Sequence, residues 1–153
     1  MMGRTHMAFG FLAGMLTFPL FGANWLLFVS LATVAALFPD VDHENSKINK
    51  ILPVTRWIPK FFQHRGFFHS LFAVAIIYLV FAITKHTNIG TPIAIGYAAH
   101  LASDCLTQAG CNLLHPASNF RISGFVRTDG AMELIVLGAV LLADAFLIVR
   151  HVF

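Results

Sequence analysis

The stretch Gly96-Tyr97-Ala98-Ala99-His100-Leu101-Ala102-Ser103-Asp104 sets an imidazole and a carboxylate four residues apart in an otherwise apolar run. On a helix that spacing puts both side chains on one face, about one turn apart. Three further polar clusters carry the same residue types: His6 near the start, Pro39-Asp40-Val41-Asp42-His43, and His64-Arg65-Gly66-Phe67-Phe68-His69-Ser70. Histidine and carboxylate together suit a divalent transition metal. Arg65 adds a fork that grips a phosphate or a carboxylate by two oxygens. Each cluster has a plainer alternative. Asp40 to His43 also reads as a polar helix stop, His100 with Asp104 as a buried hydrogen bond that pins helices, and His6 as an incidental interfacial residue. Taken together they predict one site at which the four clusters meet.

The elements that must position these groups are apolar. Of 153 residues, 58% are hydrophobic and only 11% charged, against roughly 25% charged in soluble domains. Mean hydropathy is +0.76. The apolar residues fall in long runs between short polar islands, the pattern of a polytopic membrane protein. The reading is an all-α integral membrane protein of one domain, 1–153, with about five transmembrane helices and a cytoplasm-facing polar cavity. The spans are placed at about 5–22, 25–38, 67–84, 91–114 and 131–149. They are helices because backbone polar groups in lipid must be satisfied within the segment.

Five spans put the N-terminus, the 40–66 loop and the 115–130 loop on one side. That side carries Arg4, Lys47, Lys50, Arg56, Lys60, Arg65, Arg121 and Arg127; the other carries Lys85 and Arg150. The excess of positive charge marks the first side as cytoplasmic. The topology, drawn from apolar runs and basic residues alone, brings the His/Asp clusters to that same face. His100 is placed near mid-membrane, with Thr107, Gln108 and Asn112 continuing a polar path from it on the same helix.

Other features carry less. The 40–66 loop mixes basic residues with Ile51, Leu52, Trp57, Ile58, Phe61 and Phe62, which suits a segment lying on an anionic leaflet; nucleic acid is not an expected partner. Cys105 and Cys111, six apart on the expected fourth helix, face different ways and predict no disulfide. The first apolar run is read as a retained span rather than a cleaved leader, since cleavage after Gly22-Ala23 would discard His6. Asp144 is given no chemistry, and His86 and His151 are expected to be solvated. Arg121, Arg127, Asp129 and Glu133 are candidates to complete a substrate pocket.

In order and spacing, the His6, Asp40 to His43, His64 to Ser70 and Gly96 to Asp104 clusters resemble those of the YdjM/YbcI family, inner-membrane proteins described as metal-dependent hydrolases. The similarity continues through Thr107, Gly110 and Leu113-Leu114-His115-Pro116; His115 departs from the bulky apolar or aromatic residue expected there. Carried over by position, the resemblance implies functional roles for His6, Asp40, Asp42, His43, His64, Arg65, His69, Ser70, His100 and Asp104. It also implies the inner membrane of a bacterial or archaeal cell, in a multi-pass arrangement with the N-terminus cytoplasmic.

The functional expectation is a membrane-embedded metal-dependent hydrolase acting on a phosphoester of a lipid or membrane-proximal substrate. One or two divalent ions, zinc first and then manganese or iron, are assigned to His6, Asp40, His43, His69, His100 and Asp104. Asp42 or Asp104 is the candidate general base, and Arg65 the group that meets developing negative charge. His64, Arg65, Ser70 and Arg127 are assigned to substrate, with membrane lipids as surroundings. The alternatives are a proton or metal-ion transporter using the same His/Asp chain, or a non-catalytic membrane protein. A haem carrier is disfavoured by the surrounding carboxylates. Sequence leaves the oligomeric state open.

Overall fold

The protein is seen in a computed structural model that describes residues 1–21, 24–42 and 66–153, with the Asp42 side chain outside that set. Among the described residues there are five α-helices and no strand: α1 (Gly3–Thr17), α2 (Trp25–Ala35), α3 (Leu71–Ile83), α4 (Thr87–Cys105) and α5 (Ala131–Val152). Short 3-10 turns cover Phe18–Phe21, Pro39–Asp42 and Phe67–His69.

Local chemistry sets the ends. Pro19 breaks α1 into the first 3-10 turn, since proline cannot donate to the helix ladder. The Asn24 side chain caps α2 by accepting from Leu27 N–H at 3.1 Å, satisfying one of the donors a helix start leaves open. Pro39 follows the end of α2, as its restriction on Phe38 favours. Glu133 lies in the first turn of α5, where a negative charge complements the helix dipole.

Helices α1, α2 and α4 pack against one another, α3 lies on α4, and α5 lies on α1. The central seam is made of small residues. A Cβ on Gly10 would stand 2.6 Å from Ala36 Cβ and 2.8 Å from the Ala32 carbonyl oxygen, and one on Gly96 would overlap the Ala32 backbone. The seam lets both α1 and α4 close on α2, as small residues do wherever helices must approach tightly. Two apolar clusters complete the packing. Met15, Phe18, Phe28 and Val29 fill one end, while Ala73, Tyr97 and Leu101 join α3 to α4 nearer the other.

The structure differs from the sequence expectation in three places. Only α5 is both long and apolar enough, among the described residues, to cross a bilayer unaided; α2 and α3 are apolar but shorter. The expected span at 67–84 begins as a 3-10 turn, and α3 starts only at Leu71, capped by Ser70. The expected 91–114 helix starts earlier, at Thr87, and stops at Cys105. Beyond Cys105 the chain folds back on itself through isolated bridges, Thr107 with Val126 and Cys111 with Ile122. Cys111 and Asn112 are therefore not on a helix, and the helical argument about the two cysteines does not apply; the Cys111 thiol donates to the Leu101 carbonyl at 3.5 Å.

Candidate metal centre

His6 opens α1, Asp40 sits in the turn after α2, His69 in the turn before α3, and His100 and Asp104 in the last turn and a half of α4. All five converge at one end of the bundle. His100 Nε2 is 3.3 Å from His69 Nε2, 3.7 Å from Asp40 Oδ1 and 3.7 Å from Asp104 Oδ2. His69 Nε2 is 3.6 Å from Asp104 Oδ2 and 3.8 Å from Asp40 Oδ1. His6 stacks on His100 with ring centroids 3.7 Å apart, and its Nε2 is 3.6 Å from Asp104 Oδ1. Two sets of three donor atoms lie within 4.8 Å of one another, His6/His100/Asp104 and Asp40/His69/His100.

The outer hydrogen bonds decide what these rings present. His100 Nδ1 is 2.8 Å from the Ala36 carbonyl, which can only accept. Nδ1 therefore carries the proton, and Nε2 turns its lone pair inward. Ser103 Oγ donates to the His100 carbonyl at 2.8 Å, so it accepts from His6 Nδ1–H at 2.7 Å. His6 Nε2 is then also unprotonated, buried and without a hydrogen-bond partner among the described residues. Lone pairs facing carboxylates repel unless a cation lies between them. Adjacent ligands on a tetrahedral ion with bonds of 2.0–2.1 Å stand about 3.3–3.4 Å apart, so these groups need only a few tenths of an ångström of contraction. They fit a divalent ion. Because the other His100 nitrogen is held by Ala36, its one free lone pair serves one ion at a time.

His6, His69, His100 and Asp104 are buried. Only the Asp40 carboxylate reaches the surface, with 21% of its side chain exposed.

Other expected site residues fall elsewhere. Ser70 spends its hydroxyl on backbone, donating to the Phe67 carbonyl at 2.7 Å and accepting from Ala73 N–H at 3.4 Å. It is a helix cap that fixes the His69 turn, a turn also tied to α4 by Tyr97 Oη donating to the Phe68 carbonyl at 2.6 Å. Ser70→Ala is expected to cost about 1 kcal/mol, read as a lowered thermal unfolding midpoint in detergent. Arg127 is exposed in the loop before α5. His100 is not at mid-bundle, because α4 ends five residues later. The polar path also dissolves: Thr107 donates to the Asp104 carbonyl, Gln108 to the Phe125 carbonyl and Asn112 to the Ser118 carbonyl. His43, His64, Arg65 and the Asp42 side chain lie outside the described residues, as does most of the basic 40–66 loop.

Sequence reasoning gave Ser103 no role and placed Glu133 in a substrate pocket. Glu133 is instead a buried tie: Oε1 accepts from Thr5 Oγ at 2.7 Å and Met2 N–H at 2.6 Å, and Oε2 from Asp129 N–H at 2.7 Å. It fastens the start of α1, and with it His6, to α5. The Met1 amino group adds a 2.7 Å contact to Asp104 Oδ1. The signals for these roles were faint, a serine inside the His/Asp stretch and an acid in the first turn of a helix. Ser103→Ala frees His6 to turn and is expected to weaken metal binding about tenfold, the lower end for partners that orient ligands. A competition titration against a zinc-binding dye reads it.

The YdjM inner membrane protein family matches residues 1–152. The chain belongs to that family. Among YdjM-family relatives, the YvsG protein of Bacillus subtilis (strain 168) is 30% identical over 149 residues, covering 95% of this chain and 93% of that one. The inner membrane protein YdjM of Escherichia coli (strain K12) is 33% identical over 115 residues, 70% of this chain and 59% of that longer protein. No solved structure matches.

Proposed function

We propose that this YdjM-family chain is a multi-pass inner-membrane protein, its N-terminus cytoplasmic, that holds a divalent ion and hydrolyses a phosphoester on a lipid or membrane-proximal substrate. The observation that carries the reading is the convergence of inward-facing imidazole nitrogens on two carboxylates at one buried end of the bundle. The metal set is His69, His100, Asp40 and Asp104, with His6 stacked beside it and zinc the first candidate. Bound there, such an ion lowers the pKa of a water and polarises the scissile bond. Asp104 lies within 3.7 Å of the His6, His69 and His100 Nε2 atoms and is assigned to holding the ion. The base role falls to Asp42, two residues beyond Asp40, and Arg65 is assigned to the phosphoryl oxygens. Substrate approaches past Asp40, the one member of the set at the surface.

The membrane reading is supported by the outer faces of α3 and α5. Phe72, Ile76, Leu79 and Ile83 on one, and Ile135, Leu142, Phe146 and Val149 on the other, are exposed, and apolar patches of that extent need a lipid or protein cover.

Detergent-purified protein, analysed by elemental mass spectrometry, is expected to carry close to one zinc, manganese or iron ion per chain. It should then release phosphate or a phosphorylated headgroup from vesicles of phosphatidic acid or phosphatidylglycerol, lose that activity to a chelator and regain it with the metal. Protein that takes up no metal after loading sinks the reading. Metal without turnover, but with ion flux in liposomes, replaces it with a conduit.

A further inference from the structure

Away from the metal centre, α1, α2 and α5 enclose an open groove of about 450 Å³, within the roughly 300–1,000 Å³ of small-molecule sites. Met7, Ala8, Phe11, Leu141, Ala145 and Ile148 line it with apolar surface. Three polar residues interrupt that lining: Arg4, Asp144, and Thr33, whose hydroxyl is spent on the Val29 carbonyl at 2.7 Å. Arg4 stands at the end nearest the metal centre, two residues before His6; its guanidinium is exposed and meets only Met2 Sδ, at 3.5 Å, among the described residues. Asp144 lies about 20 Å along α5 from Ala131, at 1.5 Å per residue. It is 5% exposed, and its Oδ1 is buried with no hydrogen-bond partner among the described residues.

A carboxyl oxygen left unsatisfied in an apolar wall is costly, and an ionisable group inside a membrane segment marks a functional site by default. A plain hydrocarbon chain cannot satisfy it. We propose that this groove binds one amphiphile: an anionic head at Arg4, an apolar chain along α1 and α5, and on that chain a hydroxyl that donates to Asp144. Arg4 supplies the charge complementarity for the head, and Asp144 selects the hydroxylated chain. The site stands on its own whether or not the metal centre hydrolyses anything, and its test reads binding rather than turnover.

The probes are two photoactivatable lysophosphatidates in nanodiscs, one with a mid-chain hydroxyl and one without. Labelling is expected to map to the Met7–Phe11 and Leu141–Ile148 peptides, and the hydroxylated probe should saturate at about tenfold lower concentration, the effect of one hydrogen bond to a buried acceptor. Asp144→Leu should abolish that preference while keeping the labelled positions, and Arg4→Gln should weaken both probes. Unchanged unfolding midpoints establish that the variants are folded; Ala145→Trp, which fills the groove from its rim, gives a second route by displacing both probes. Labelling spread evenly over α3 and α5 overturns the site. A hydroxyl preference that is absent in the wild type, or that survives Asp144→Leu, overturns the assignment of Asp144.

Discussion

Replacing His100 by alanine is expected to strip the metal ion, with affinity falling more than about 100-fold. Its Nε2 belongs to both donor sets and lies within 3.7 Å of His69, Asp40 and Asp104. Loss of a partner that merely orients a ligand costs about 10–100-fold; loss of the shared ligand exceeds that. His6→Ala is the informative comparison. That ring stacks on His100 and approaches Asp104 only on the Oδ1 side, so its removal should cost no more than about tenfold, as for an outer partner. Elemental mass spectrometry of both variants, with competition against a zinc-binding dye, gives the two numbers. Equal losses would move His6 into the primary set and His69 or Asp40 out of it.

Gly96→Ala is expected to be the most damaging substitution that touches no ligand. Its methyl would overlap the Ala32 backbone, and backbone cannot swing aside as a flexible side chain does. Overpacking costs about 1–3 kcal/mol, and a clash with a carbonyl belongs at about 3 kcal/mol. The strain also pushes α4 from α2, separating His100 Nδ1 from the Ala36 carbonyl that holds its ring. Metal retention should therefore fall together with the unfolding midpoint. Gly138→Ala on α5 is the control: nothing lies within 4 Å of the added carbon, and helix propensity alone favours alanine by about 1 kcal/mol. A Gly96→Ala protein as stable as the wild type would refute the seam.

The five helices among the described residues and the shared end of His6, Asp40, His69, His100 and Asp104 were legible because both follow from apolar runs and polar islands. His100 and Asp104 stood out since the spacing of one helical turn is visible in any sequence. The end of α4 was not legible. Residues 106–114 remain apolar enough to read as helix, yet Cys111 exchanges both backbone hydrogen bonds with Ile122, and Leu106 and Gln108 bond to Val126 across the fold, and no local pattern announces such a return. Ser70 was misread for a related reason: serine before an apolar run signals a cap as well as a ligand, and the Ala73 N–H took it. Glu133 required knowledge of a partner 128 residues away. Long-range hydrogen bonds of that kind leave no periodicity to find.

The Glu133 tie has a consequence for how the molecule is made. The metal-facing groups extend from residue 6 to residue 104, so a chain emerging from the ribosome holds only fragments of the set until α4 has been synthesised. The start of the first helix then still lacks one tie, because the carboxylate that secures Thr5 and Met2 belongs to the last helix. On the proposed metal reading, loading follows translation of α5, as the closing event of biogenesis rather than a nucleus for it.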